Sequence, residues 1–299
     1  MANCLLALGS NLGDRRRQLV DAVAAIDRLA RTRIIAASEL AATTPIGGPA
    51  GQDAFLNAAV QIQTGLPPRE LLTELHAIEQ SCGRQRRIRW DARTLDLDIL
   101  LYGRHVLIDP AVTIPHPRME YRGFVLRPAA EAAGWMVHAG NQWTVRALSE
   151  HLDAADNEAV VAGLDQVQVD AVVERLSKRF GLGGVESVTN RSAASPAPWK
   201  IGRWRDARHL DAKMRSAGRA DLQSRPKLII ALVGGAHRVE RSASDVANGG
   251  DCQRQWRRLM HLPDSGPIAW IETTDANRRL DEAAAAVQAV WPQAAIANS

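Results

Sequence analysis

The segment Arg93–Gly103, RTLDLDILLYG, constrains the fold more than any other stretch of the chain. Leucine or isoleucine at 95, 97, 99, 100 and 101, closed by Tyr102 and Gly103, predicts a mostly buried β-strand. Side chains two apart on a strand share a face, so Asp96 and Asp98 stand side by side, about 7 Å apart at the Cα level. Carboxylates that close repel unless something positive lies between or beside them. On spacing alone two readings stay open. One is a strand end with one wet face; the other is a site for a hard cation such as Mg²⁺, which takes one or two carboxylates and then substrate phosphates.

The surrounding pattern extends the strand into a layer. Cys4–Leu8 reads as a strand, and residues 14–30 carry helical periodicity through Leu19, Val23, Ile26 and Leu29. Residues 33–39 and 55–63 read as two further strands. Residues 67–82 form a second helix, with Pro68 in its first turn and an apolar stripe of Leu71, Leu72, Leu75 and Ile78. With the aspartate-bearing strand the order is β-α-β-β-α-β, the ferredoxin-like α/β (α+β) pattern of a sheet with helices on one face. More helix is predicted at 122–133 and 145–152.

After about residue 160 the character changes. Residues 186–225 are rich in Ser, Ala, Pro and Arg with little apolar periodicity, which predicts a linker. Runs at 227–233 (KLIIALV) and 267–272 (PIAWIE) then read as buried strands, and 278–291 as a helix. The expected division is 1–160 as one domain, 161–226 as a helix plus linker, and 227–299 as a small, incomplete α/β unit.

Charge and cysteine usage narrow the function. The 299 residues carry a net charge of +4, too mild for a histone-like binder. Three cysteines lie scattered without metal spacing, which fits a reducing cytoplasm. The start of the chain lacks the features of a secretory signal, and no apolar run reaches the roughly 20 residues needed to span a membrane. All four lysines lie beyond residue 170, so a phosphate held by the N-terminal part must be held by arginine or histidine.

Arginines are in fact clustered there. GRQRRIRWDAR places Arg84, Arg86, Arg87, Arg89 and Arg93 just before the aspartates. A solvated basic loop is one reading. The acidic pair beside it would repel a nucleic-acid backbone, whereas a Mg²⁺-chelated polyphosphate suits both halves, metal to carboxylate and guanidinium forks to the remaining oxygens. GxxxxGK[ST] does not occur, so P-loop chemistry is not expected. A second set suits a flat heterocycle: Pro45, Ile46, Gly47 and Gly48 after Thr43 and Thr44, then Phe55, Leu56 and Asn57, Trp90 and Phe124. IPHPRMEYRGF (114–124) adds His116, Arg118 and Arg122.

Together LALGSNLGD (6–14), TTPIGG (43–48), FLNAAV (55–60), RTLDLDILLYG and PHPRMEYRGF resemble the 6-hydroxymethyl-7,8-dihydropterin pyrophosphokinases of folate biosynthesis, in order over roughly residues 1–155. The resemblance implies a cytoplasmic enzyme, expected as a monomer, that transfers pyrophosphate from ATP to 6-hydroxymethyl-7,8-dihydropterin and releases AMP. It implies that Asp96 and Asp98 hold two Mg²⁺ ions. It gives Glu79, Arg84, Arg93, His116 and Arg122 as contacts to ATP. Thr44, Pro45, Ile46, Phe55, Asn57 and Phe124 match the pterin pocket, and Arg86 and Trp90 match a loop that closes over the substrates. Two departures are visible: phenylalanine stands at 55 where many members have tyrosine, and the loop from Arg84 to Trp90 is one residue shorter than in some relatives. The run GPIAWIETTDANRRLDEAAAAVQAVW resembles the end of bacterial deoxynucleoside kinases without the phosphate-binding loop such a kinase needs, which implies a truncated, catalytically silent partner domain. The competing expectation is an inactive pyrophosphokinase-like domain whose basic stretch at 191–227 binds nucleic acid or a protein partner.

Overall fold

The computed structural model describes residues 1–45, 53–82, 94–182, 199–204, 226–233 and 266–291 (except 274), together with 257, 259, 260 and 262. They divide into two units, one within residues 1–149 and the other from residue 150 onward.

The first unit is built on an antiparallel sheet in the order β2-β4-β1-β5, with β3 paired to β4. Its strands are β1 (Ala2–Ser10), β2 (Thr32–Ala37), β3 (Ala41–Thr43), β4 (Phe55–Thr64) and β5 (Asp96–Tyr102). Helix α1 (Arg15–Asp27) starts where the Asp14 side chain accepts from the Arg17 N–H at 3.1 Å, a cap that satisfies one of the otherwise orphaned first-turn donors. Helix α2 (Pro68–Ser81) begins with proline in its first turn, where a missing N–H costs nothing.

Strand periodicity decides which face each residue serves. Cys4, Leu6 and Leu8 of β1, Ala58, Val60 and Ile62 of β4, and Leu97 and Ile99 of β5 share a core with Leu19 and Ile26 of α1 and Leu71, Leu75 and Ile78 of α2. Each such leucine or isoleucine contributes about 1.5–3 kcal/mol by leaving water. The other face is covered too: Leu5 and Ala59 are fully buried, and helix α3 (Gly123–Ala133) lies against β1, β2 and β4. Helices on one face only were expected; α3 supplies the second layer.

Strand β5 carries a bulge. Leu101 pairs with Leu5 and Ile99 with Leu6, which leaves Leu100 as the extra residue. Its carbonyl accepts from the His116 N–H at 2.9 Å and ties the segment after the β6 (Leu107–Ile108) and β7 (Thr113–Ile114) hairpin to β5. That segment turns through a 3₁₀ turn (Met119–Tyr121) into α3. Helix α4 covers Val145–Ala154.

The second unit departs from the expected division. A strand β8 (Asp156–Gly163), which straddles the expected boundary at residue 160, pairs in parallel with both β9 (Lys200–Arg203) and β10 (Pro226–Val233). Its sheet is β11-β10-β8-β9, with β11 spanning Ala269–Glu272. Helices α5 (Gln166–Arg179) and α6 (Ala276–Val290) accompany it. Residues 227–299 are therefore not a unit by themselves, because β10 needs β8 as its neighbour and core residues Val160 and Ala162 pack with Ile229 and Ala231. Strand β8 opens on the polar run DNE, and β9 is four residues, KIGR, with exposed Lys200 and Arg203, so neither shows the apolar run that marks β10. Among the described residues no helix is long and apolar enough to cross a membrane.

Candidate active site

The site is assembled on the face of the first sheet opposite the α1–α2 core. Asp96 pairs with Gly9, and Gly9 with Asn57, so the three lie in one row across β5, β1 and β4. Asp98 sits one step along, opposite Ala7. Both aspartates are half-buried between the buried Leu95, Leu97 and Ile99. The expected side-by-side arrangement thus holds, with the carboxylates on the face away from the apolar core.

Gly9 is a site residue that sequence reasoning missed, although the run LALGSNLGD contains it. A Cβ at this position would stand 3.2 Å from Asn57 Oδ1 and 3.9 Å from Phe55 Cδ1. Glycine therefore keeps clear the floor between the acidic pair and the amide. Asn57 is buried, and its Nδ2 donates to Thr43 Oγ1 at 2.7 Å. That bond orients the amide so that Oδ1 is the atom facing Gly9. Thr43 stands in the TTPIGG run, but the resemblance gave the pocket contact to its neighbour Thr44, which is exposed. Phe55 is half-buried two residues before Asn57 on the same strand face, and Pro45, two residues beyond Thr43, is half-buried as well.

The cationic side comes from residues 116–124. His116 Nδ1 accepts from the Arg118 N–H at 3.2 Å, so the proton of the neutral ring sits on Nε2. Nε2 lies 3.9 Å from Asp98 Oδ2, beyond hydrogen-bond reach. Burial, reinforced by the Arg122 and Arg118 guanidiniums, lowers the His116 pKa to about 3, so the ring is neutral near pH 7 and this contact is no ion pair. Burial also lowers the pKa of Arg122, while Asp98 and Asp96 act in the opposite sense; arginine stays protonated regardless. The Arg122 guanidinium lies 5.6 Å from the centroid of the Phe124 ring, a cation–π contact that fixes both side chains.

Glu79 lies on α2 in the row of buried Leu71, Leu75 and Ile78 and is itself 2 % exposed. Its Oε1 accepts from the Leu97 N–H at 2.8 Å, between the two aspartates. Of the remaining predicted residues, Ile46, Arg84, Arg86, Trp90 and Arg93 lie outside the described residues. Among the described residues, no group of three or more His, Cys, Asp or Glu side chains gathers to hold a metal. The acidic pair alone is suited in its chemistry to a hard cation that takes further oxygens from a ligand.

A family model described as 7,8-dihydro-6-hydroxymethylpterin-pyrophosphokinase (HPPK) matches residues 5–134, which contain every described residue of this site. The 2-amino-4-hydroxy-6-hydroxymethyldihydropteridine pyrophosphokinase of Pseudomonas aeruginosa is 47% identical over 128 residues, covering 43% of this chain and 78% of that relative. The enzyme of the same name from Haemophilus influenzae is 40% identical over 153 residues, covering 51% and 95%. The one from Methylorubrum extorquens is 39% identical over 160 residues, covering 54% and 99%. The chain belongs to the hydroxymethyldihydropterin pyrophosphokinase family. A solved structure titled "Crystal Structure Analysis of the HPPK-DHPS in complex with substrates" aligns over 94% of this chain and 87% of its own at 10% identity. Its TM-score is 0.39, a likeness too low to bear on the fold. For this pyrophosphokinase-family chain, the row from Asp96 through Gly9 to Asn57 runs from a cation-suited end to an amide-lined end.

Proposed function

We propose that the first unit transfers pyrophosphate from ATP to 6-hydroxymethyl-7,8-dihydropterin in folate biosynthesis. The observation that carries this reading is the single row that joins the acidic pair to the Asn57 amide across Gly9, in a chain of this family. The antiparallel order β2-β4-β1-β5 supports a ferredoxin-like reading of the layer beneath it.

In the reaction the pterin hydroxymethyl oxygen bonds to the β-phosphorus of ATP. The bond from that phosphorus to the α-phosphate bridging oxygen breaks, AMP leaves, and the hydroxyl proton is lost to solvent. Asp96 and Asp98 would hold Mg²⁺, two ions by resemblance, which neutralises triphosphate charge and polarises the phosphorus that is attacked. Arg122, with Arg84, Arg86 and Arg93, offers guanidinium forks to the phosphate oxygens. His116, neutral with its proton on Nε2, donates a hydrogen bond to an oxygen on the same side. Asn57, oriented by Thr43, reads the pterin edge; Thr44, Pro45, Ile46, Phe55, Phe124 and Trp90 are assigned to the ring's pocket by resemblance. Glu79, given as a contact to ATP by resemblance, is buried and is read here as acting through β5, where it holds the Leu97 N–H. No dedicated strong base is required, since phosphoryl transfer rests mainly on positioning and charge neutralisation.

An inactive domain with a nucleic-acid-binding tail is not favoured, because it leaves the acidic pair and the Asn57 row without a role. The second unit is read as catalytically silent. The first turn of α5, which follows β8 as a phosphate-binding helix would, is occupied by its own Asp165 carboxylate, which accepts from Val167 and Gln168 N–H at 3.0 and 3.2 Å. The free thiols Cys4 and Cys82, and the need for ATP, support a cytoplasmic setting. The test is AMP release from ATP and Mg²⁺ by the full chain, with and without the pterin. Pterin-dependent AMP is the expected result; its absence from folded protein would overturn the reading.

A further inference from the structure

The phosphate-side residues hang from a short buried turn, and that turn is gripped by a pair none of the motifs singles out. Glu120 lies in the 3₁₀ turn between His116 and Arg122 and is 5 % exposed; His138 is 3 % exposed. His138 Nε2 stands 3.2 Å from Glu120 Oε1. The other ring nitrogen, Nδ1, accepts from the Asn141 N–H at 3.1 Å, so the neutral ring carries its proton on Nε2 and donates it to Glu120.

The histidine is itself held. It sits in a tight turn whose backbone closes twice on it: His138 N–H donates to the Trp143 carbonyl and Gln142 N–H to the His138 carbonyl, each at 2.8 Å. Asn141 Oδ1 accepts from the Trp143 N–H at 2.9 Å, and Val145 N–H donates to the Met136 carbonyl at 2.9 Å. Gln142 adopts φ 63°, the left-handed conformation that lets the chain reverse here. The ring orientation is therefore set by the hairpin at 136–145, independently of the 3₁₀ turn.

A packed apolar pair would hold the same two segments together without a direction. A buried carboxylate with an oriented N–H partner fixes both distance and angle, and it is costly to bury unless it meets that partner. The segment it fixes leaves β5 at the His116–Leu100 hydrogen bond and ends at Arg122, the N-cap position of α3. We propose that Glu120 and His138 form a positioning clamp that sets His116 and Arg122 against Asp96 and Asp98, and so governs how nucleotide phosphates are held. This rests on the pyrophosphokinase reading of the site.

The test compares three full-length proteins: the native chain, His138→Gln, whose side-chain amide can still donate to Glu120, and His138→Leu, which cannot. Steady-state turnover gives kcat and separate KM values for MgATP and the pterin. Misplacement of phosphate ligands by about an ångström costs up to about a hundredfold, so His138→Leu should weaken MgATP handling (kcat/KM) by about tenfold or more. Its KM for the pterin should stay within about twofold, and His138→Gln should recover most of the loss. Unchanged MgATP kinetics in folded His138→Leu, or equal damage in both variants, would overturn the clamp; so would parallel losses for both substrates. Should His138→Leu fail to fold, nitrogen-15 NMR of the native chain decides the matter, with the His138 signal assigned by its loss in His138→Gln. An Nε2–H ring whose signal shifts on adding Mg²⁺ with a non-hydrolysable ATP analogue supports the clamp. A proton on Nδ1, or no shift on saturation, refutes it. A native chain without pterin-dependent AMP release would sink the function reading instead, and the NMR result is independent of turnover.

Discussion

The carboxylate of Glu79 accepts a hydrogen bond from the backbone N–H of Leu97 at 2.8 Å, midway between Asp96 and Asp98. Strand β5 is at the edge of its sheet, so an N–H that points away from β1 has no strand to meet. The buried glutamate on α2 fills that need and fixes the strand where the two aspartates leave it. Glu79→Ala strands a buried donor, which costs about 1–3 kcal/mol. The variant should exchange its Leu97 amide proton faster than the native chain and lose turnover, while Glu79→Gln, still an acceptor, should keep both near native. Native-like protection of the Leu97 amide in Glu79→Ala would show that the strand is held some other way.

Asp96 and Asp98 repel each other, and the attraction of both for the Arg122 guanidinium opposes that repulsion, so removing one charge has little net effect on the fold. Asp96→Asn and Asp98→Asn should each leave the thermal midpoint without Mg²⁺ close to native. Each should lose pterin-dependent AMP release by at least about a hundredfold, because charge neutralisation on the phosphates is the main catalytic device. Near-native rates in either variant would refute the carboxylates as cation ligands.

What the sequence made legible follows from periodicity. The two aspartates declared their shared face because a strand repeats every two residues, and α2 declared its stripe through Leu71, Leu75 and Ile78. Glu79 lies in that same stripe, yet nothing in a helical pattern says that a glutamate will be buried against a backbone N–H contributed by a strand. Glu120 and His138 were equally hidden, since they belong to different local structures and meet only after the hairpin folds. In the second sheet β10 and β11 were legible, and the largest omission was β8 and β9 with the pairing that joins them. The parallel neighbours β8 and β10 pair across more than sixty residues of chain, a register that no local pattern encodes.

Gly9 offers a way to separate the two ends of the site. An added methyl would press on Asn57 Oδ1 at 3.2 Å, so the amide must shift by a few tenths of an ångström. Position 9 keeps an ordinary strand conformation, and alanine there does not threaten the sheet. Gly9→Ala should therefore fold, raise the KM for the pterin several-fold, and leave the KM for MgATP close to native. A larger effect on MgATP than on the pterin would mean that the amide end is not where the ring binds.

His116 makes stability depend on pH with a definite sign. Burial first, then the Arg122 and Arg118 charges, lowers its folded pKa to about 3, against about 6.5 in an unfolded chain. Above about pH 6.5 neither state carries the proton, and the full contribution is present. Below it the unfolded chain takes up a proton that the folded ring refuses, so stability falls steadily as the pH drops towards 3. In His116→Asn the side-chain oxygen can still accept from the Arg118 N–H but cannot titrate. Denaturant midpoints of the two proteins, measured without Mg²⁺ or nucleotide between pH 7 and 5, should show a steeper acid loss in the native chain. The difference between the two curves isolates His116 from the other seven histidines, and parallel curves would mean that its ring takes up a proton as readily in the fold as outside it.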